Sequence, residues 1–90
     1  MDELKDAHDW AVRELYAHVE ARRIVSDMLA RDPYCFPTMR GKKRQRQMAL
    51  LADVSQSAVS RLETGVLSKL GADTLRRLLK AYMELADGAR

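Results

Sequence analysis

The sequence has one cysteine, two prolines, four glycines, one phenylalanine and one tryptophan in ninety residues. A lone Cys35 cannot form an internal disulfide, so nothing argues for an oxidising compartment. It stands between Tyr34 and Phe36, which suits a buried small hydrophobe better than a nucleophile. No apolar run is long enough to span a membrane. Five of the first ten residues are acids or bases, unlike a signal peptide. The cytoplasm is the expected location. His8 and His18 are ten apart, with no matching cysteine or carboxylate cluster, so no metal site is expected. The chain also lacks a glycine-rich phosphate loop, a nucleophile–base pair and a facing pair of carboxylates. Neither an enzyme nor a cofactor is expected.

What is present is charge and helix-forming sequence. Ninety residues suit one domain with one modest core. The apolar share of 47% is ordinary and the charged share of 32% is high. The net charge of +3 conceals an asymmetry. Residues 1–39 carry five Lys/Arg against eight Asp/Glu, while residues 40–90 carry eleven against five. The basic half suits a polyanion, and the acidic half suits a solvated or protein-facing role.

Asp2 to Ala30 reads as one long helix or a helix pair, uninterrupted by glycine or proline. At 100° per residue, Leu4, Ala7, Ala11, Leu15, Val25 and Leu29 form a stripe. Trp10, Val12, Val19 and Met28 flank it, and His18 and Arg22 interrupt it. Core packing and a dimer interface, with Trp10 and Tyr16 as anchors, are equally compatible with this pattern. Asp32-Pro33 ends the helix, because a residue before proline avoids the helical region. Residues 32–41 (DPYCFPTMRG) read as an ordered connector anchored by Tyr34 and Phe36. RGKKRQR follows, with five bases in seven residues. Three further helices are expected near 44–52, 56–63 and 72–85. The last of these carries Leu75, Leu78, Leu79, Tyr82 and Met83 on one face. No strand pattern or repeat is evident, so the fold class is all-α. The chain divides as an N-terminal helix over 1–31, a connector and basic run over 32–43, and a two-helix reader with its supporting helix over 44–90.

The informative stretch is Gln45 to Gly65, QRQMALLADVSQSAVSRLETG. Two helices crossing around a tight turn need a small residue at closest approach, and Ala49 is there. The turn needs a residue tolerant of positive φ, which Asp53 supplies less well than glycine. The inner faces must be apolar, as Met48, Ala52, Val54, Val59 and Leu62 are. Ser55 is placed to cap the second helix, and Gly65 to end it in the left-handed region. This segment resembles the helix-turn-helix of the XRE-type family, which includes phage repressors of the lambda kind and many antitoxins. The matching residues are Gln45, Met48-Ala49, Val54 to Ser57, Val59 to Glu63, Gly65, and Asp73-Thr74-Leu75. The resemblance covers roughly residues 44–85. Asp53 stands where the family usually has glycine. The family's usual first helix is not evident ahead of the motif, where the connector and basic run stand instead.

The resemblance implies a small lambda repressor-like domain that lays helix 56–63 in the major groove. Gln56, Ser57, Ser60 and Arg61 become the base-contacting residues, with Gln56 able to pair adenine through two bonds. Gln45 would meet a phosphate and brace Gln56. Ser55 at the helix start, with Lys42, Lys43, Arg44 and Arg46, would add phosphate contacts that position without specifying. The competing reading is a helical hairpin with a merely solvated face, and for RGKKRQR a solvated linker. Agreement among small, capping and turn residues favours the reader. A second resemblance, to sigma-factor region four through SRLETGVLSKL, fits less well given Gly65 and the helix after it. The expected function is a homodimeric repressor on a pseudo-palindromic double-stranded DNA site. The alternative is an antitoxin, whose acidic N-terminal helix captures a partner protein while the basic half represses its own operon.

Overall fold

The computed structural model describes residues 19–88, all of whose regular elements are helical. The first, α1, covers residues 19–31. It is followed by α2 (Cys35–Arg40), α3 (Gln45–Ala52), α4 (Gln56–Thr64), a single 3₁₀ turn (Leu67–Lys69) and α5 (Ala72–Gly88). Leu4, Ala7, Trp10, Ala11, Val12, Leu15 and Tyr16 of the N-terminal stripe, and both histidines, lie outside the described residues.

Helix α1 stops at residue 31, immediately before the Asp32-Pro33 pair. Its contribution to the core is Ala21 and the fully buried Val25, with Met28 and Leu29 partly covered. Val19, expected beside the stripe, is instead 53% exposed. Arg22 interrupts the stripe for a reason. Its Nη1 and Nη2 donate to the Leu67 and Leu70 carbonyls, both at 3.1 Å. The Leu67 carbonyl also accepts the Leu70 N–H at 3.0 Å, and the guanidinium fork supplies a donor to each of the two oxygens at once. The arginine thereby clamps α1 to the 3₁₀ turn.

The connector requires correction, because residues 35–40 form a helix. Pro37 is its third residue, inside the first turn, where the missing N–H has no intrahelical partner to lose. Asp32 Oδ1 accepts the Tyr34 N–H at 2.9 Å, and the Tyr34 carbonyl accepts both the N–H and the hydroxyl of Thr38. Gly41 ends the element at φ 62° and ψ −127°, a conformation open to glycine alone. Phe36 anchors the helix as expected, fully buried with its ring edge-on to Tyr82 at a centroid distance of 5.1 Å. Burial of such a side chain contributes roughly 1.5–3 kcal/mol. Tyr34 does not share the role, being 72% exposed.

Helix α5 lies across α2 and α3, burying Leu75, Leu78, Ala81 and Tyr82. Met83 falls off this face and is 45% exposed, because one step beyond Tyr82 turns the side chain by about 100°. Leu85 takes its place at the core margin. The observed ends of α3, α4 and α5 differ from the expected ones by one to three residues.

Candidate nucleic-acid interface

Helices α3 and α4 pack against each other, and both helices end in the same way. At the end of α3 the Val54 N–H donates to Ala49 O at 3.0 Å and the Asp53 N–H to Leu50 O at 3.3 Å. At the end of α4 the Val66 and Gly65 N–H groups donate to Arg61 O and Leu62 O. Both are Schellman closures, each needing a left-handed residue just past the helix. Gly65 provides one at φ 79°. Asp53 provides the other at φ 56°, and among the described residues it is the non-glycine residue with positive φ. Arg77 of α5 holds that turn, its Nη1 donating to the Asp53 carbonyl (3.1 Å) and carboxylate (3.0 Å). The same guanidinium pairs with Asp73 one turn earlier.

Helix α4 is capped by Ser55, whose Oγ accepts the Ala58 N–H at 3.1 Å and whose backbone is extended. The hydroxyl hydrogen remains a donor. Ala58, Val59 and Leu62 turn inward against α3, where Met48, Ala49 and Ala52 meet them. Val54 packs partly buried at the core edge. The spacing then puts Gln56, Ser57, Ser60 and Arg61 on the opposite side of α4. Gln56, Ser57 and Arg61 are exposed and Ser60 is half-buried. Short hydroxyl and amide groups beside one arginine form a polar face able to offer donors and acceptors to base edges.

The basic run occupies the loop between α2 and α3 and the first turn of α3, with Lys42, Lys43, Arg44 and Arg46 all exposed. The Arg44 N–H donates to Gln47 Oε1 at 2.8 Å, half of a capping box. Arg40, the first base of the run, is different. Its side chain is 20% exposed and pairs with Glu63, Nε to Oε2 at 2.7 Å and Nη2 to Oε1 at 2.9 Å. Its Nη1 also donates to the Lys43 carbonyl at 2.7 Å.

Glu63 is the centre of a network joining α2, α3, α4 and α5. Besides Arg40 it accepts the Tyr82 hydroxyl on Oε2 and the Gln45 amide Nε2 on Oε1, the latter at 3.1 Å. Its side chain is 5% exposed. Burial alone would raise its pKa, but the bonds from Arg40, Tyr82 and Gln45 outweigh it and hold the carboxyl below its ordinary value. Burial and the adjacent Glu63 charge push the Tyr82 phenol up, so it remains a donor. The Gln45 amide gives one of its hydrogens to Glu63. Glu63 was detectable in the sequence, for it lies four residues after Val59 and only about 40° from it on the helix. An acid so near a buried face needs a partner. Cys35 is half-buried and its thiol is pushed up by burial, consistent with an unreactive side chain.

Among the described residues, no cluster of three or more metal-ligating side chains is found. No helix there is long and apolar enough to cross a membrane. Residues 39–82 match the family described as "Helix-turn-helix". No curated protein and no solved structure matches the chain.

Proposed function

From the membership of residues 39–82 in the XRE-type helix-turn-helix family, which makes this chain a DNA-binding regulator of transcription, we propose that it is a homodimeric, autoregulatory repressor. The matched family is a regulatory DNA-binding domain and not a catalytic one. The observation that carries the reading is the polar face of α4, Gln56, Ser57, Ser60 and Arg61, opposite a face buried against α3. In this reading α4 enters the major groove, with Gln56 on adenine, Arg61 on guanine or a phosphate, and the two serines on base edges. Lys42, Lys43, Arg44 and Arg46, with Gln45 and Ser55, take the flanking phosphates. The exposure of the four bases supports this role, because none is consumed by burial.

One helix in one groove reads only a few base pairs, and a two-fold pair doubles the information on a pseudo-palindromic site. Repression then consists of occupying a promoter. The protein works wherever the cell's DNA lies, which for this reading is the cytoplasm. Footprinting of bound genomic fragments, with the mass of the complex on a recovered site, tests the proposal. Two chains on a two-fold symmetric footprint support it; one chain on an asymmetric footprint contradicts the dimer. The excess of acids over bases in residues 1–39 favours a second reading, an antitoxin with a protein partner. A second, basic chain that co-purifies in fixed ratio distinguishes that reading from the simple repressor.

A further inference from the structure

The Glu63 carboxylate holds two groups that bracket the basic loop. Arg40 lies just before the loop and Gln45 just after it, and both donate to the same Oε1, at 2.9 and 3.1 Å. Arg40 also reaches forward to the Lys43 carbonyl, so the loop is tied in its middle as well. The other carboxylate oxygen takes Arg40 Nε and the Tyr82 hydroxyl. Each oxygen thus accepts two donors, which fills its lone-pair capacity. An uncompensated acid beside a phosphate-binding loop would repel DNA, and here the guanidinium neutralises it.

Resting on the reading of Gln45 as a phosphate contact, we infer that Glu63 is a positioning residue for phosphate binding and acts through Gln45. An amide nitrogen carries two hydrogens. Glu63 takes one and fixes the plane of the amide, and the second hydrogen is left for a phosphate oxygen. The loop with Lys42, Lys43 and Arg44 is held between the two tethers before DNA arrives. Ordering that would otherwise accompany binding is already complete, which raises affinity without any added interaction. Glu63 itself never touches the nucleic acid. Tyr82 serves the same carboxylate from α5 on Oε2, the oxygen that does not take Gln45, so it provides an internal control.

The test is a double-mutant cycle on the full chain, with Gln45→Ala, Glu63→Gln and the pair. Affinity is measured by fluorescence anisotropy on a labelled duplex of mixed sequence at low salt, well below each variant's melting temperature. Gln45→Ala is expected to weaken binding roughly ten- to a hundredfold, the worth of one hydrogen bond to a charged group. Glu63→Gln is expected to weaken it similarly, and the pair no more than Gln45→Ala alone. Tyr82→Phe is expected to lower the melting temperature and leave the affinity of the folded protein unchanged. Where Glu63→Gln does not fold, Glu63→Asp replaces it in the cycle, keeping a charge for Arg40 while withdrawing the carboxylate from Gln45. Fully additive losses overturn the positioning role and leave the phosphate contact standing. An unchanged affinity for Gln45→Ala removes the phosphate contact itself. A loss of affinity in Tyr82→Phe equal to that in Glu63→Gln assigns the carboxylate to fold integrity alone.

Discussion

Replacing Arg40 by methionine keeps the aliphatic stem but removes three hydrogen bonds and the counter-charge of Glu63. Breaking a buried ion pair by removing one partner costs about 3–5 kcal/mol, because the remaining charge is left uncompensated. Two features reduce that figure here. Arg40 is 20% exposed, and Glu63 retains the Tyr82 and Gln45 donors. The expected loss at neutral pH is therefore about 2–3 kcal/mol. Its pH dependence identifies the cause. In the native protein Glu63 titrates below its ordinary value, so its stabilisation is present above the unfolded carboxyl pKa and is lost as pH falls through the folded one. In Arg40→Met the largest of the lowering influences is gone, so the carboxyl titrates higher than in the native protein and acidification costs the folded state less. The two stability curves must converge as pH is lowered from about 7 through the ordinary carboxyl range near 4. Urea unfolding followed by circular dichroism at a series of pH values measures the gap. A gap that stays constant with pH, or one below about 0.5 kcal/mol at pH 7, refutes the reasoning.

Three further changes test other parts of the fold. Asp53→Gly removes the left-handed strain, costing roughly 1 kcal/mol, and gives up an exposed ion pair worth about 0–1 kcal/mol. Stability should stay level or rise slightly, whereas Asp53→Ala should lose at least about 1 kcal/mol; equal melting of the two variants contradicts the strain assignment. Val25→Ala deletes two fully buried methyl groups from α1 and should cost about 2 kcal/mol if α1 shares the core of α3–α5. An unchanged denaturation midpoint argues that α1 folds independently. Replacing Lys42, Lys43 and Arg44 by glutamine should flatten the plot of log affinity against log salt by up to about three units, one for each phosphate no longer neutralised. An unchanged slope makes the run a solvated linker.

The parts legible in the sequence were those set by local rules. The αL turn at Asp53, the Ser55 cap and the Gly65 stop each follow from what one residue permits its own local backbone. Apolar spacing located Leu75, Leu78 and Tyr82 for the same reason. Residues whose role depends on a distant partner were not legible in this way. Arg40 looked like one base in a charged run, yet its partner lies 23 residues away. Arg77 reaches 24 residues back to clamp Asp53, and Arg22 reaches 45 and 48 residues forward. Helix α2 was hidden because Pro37 reads as a breaker, although a proline in the first turn is harmless. Exposed Tyr34 shows the converse. An aromatic in a short connector is not an anchor unless the helix turns it inward, and here Phe36 occupies the inward position.

The central claim is that the outer face of α4 reads base sequence. The most direct measurement is the ratio of affinities for a footprinted site and for a duplex of random sequence, taken for the native chain, Gln56→Ala and Ser60→Ala. Each substitution is expected to lower the ratio by about five- to a hundredfold, the worth of one good base contact, with melting temperature unchanged. A ratio that is unaltered in both variants places the reading face elsewhere and contradicts the account.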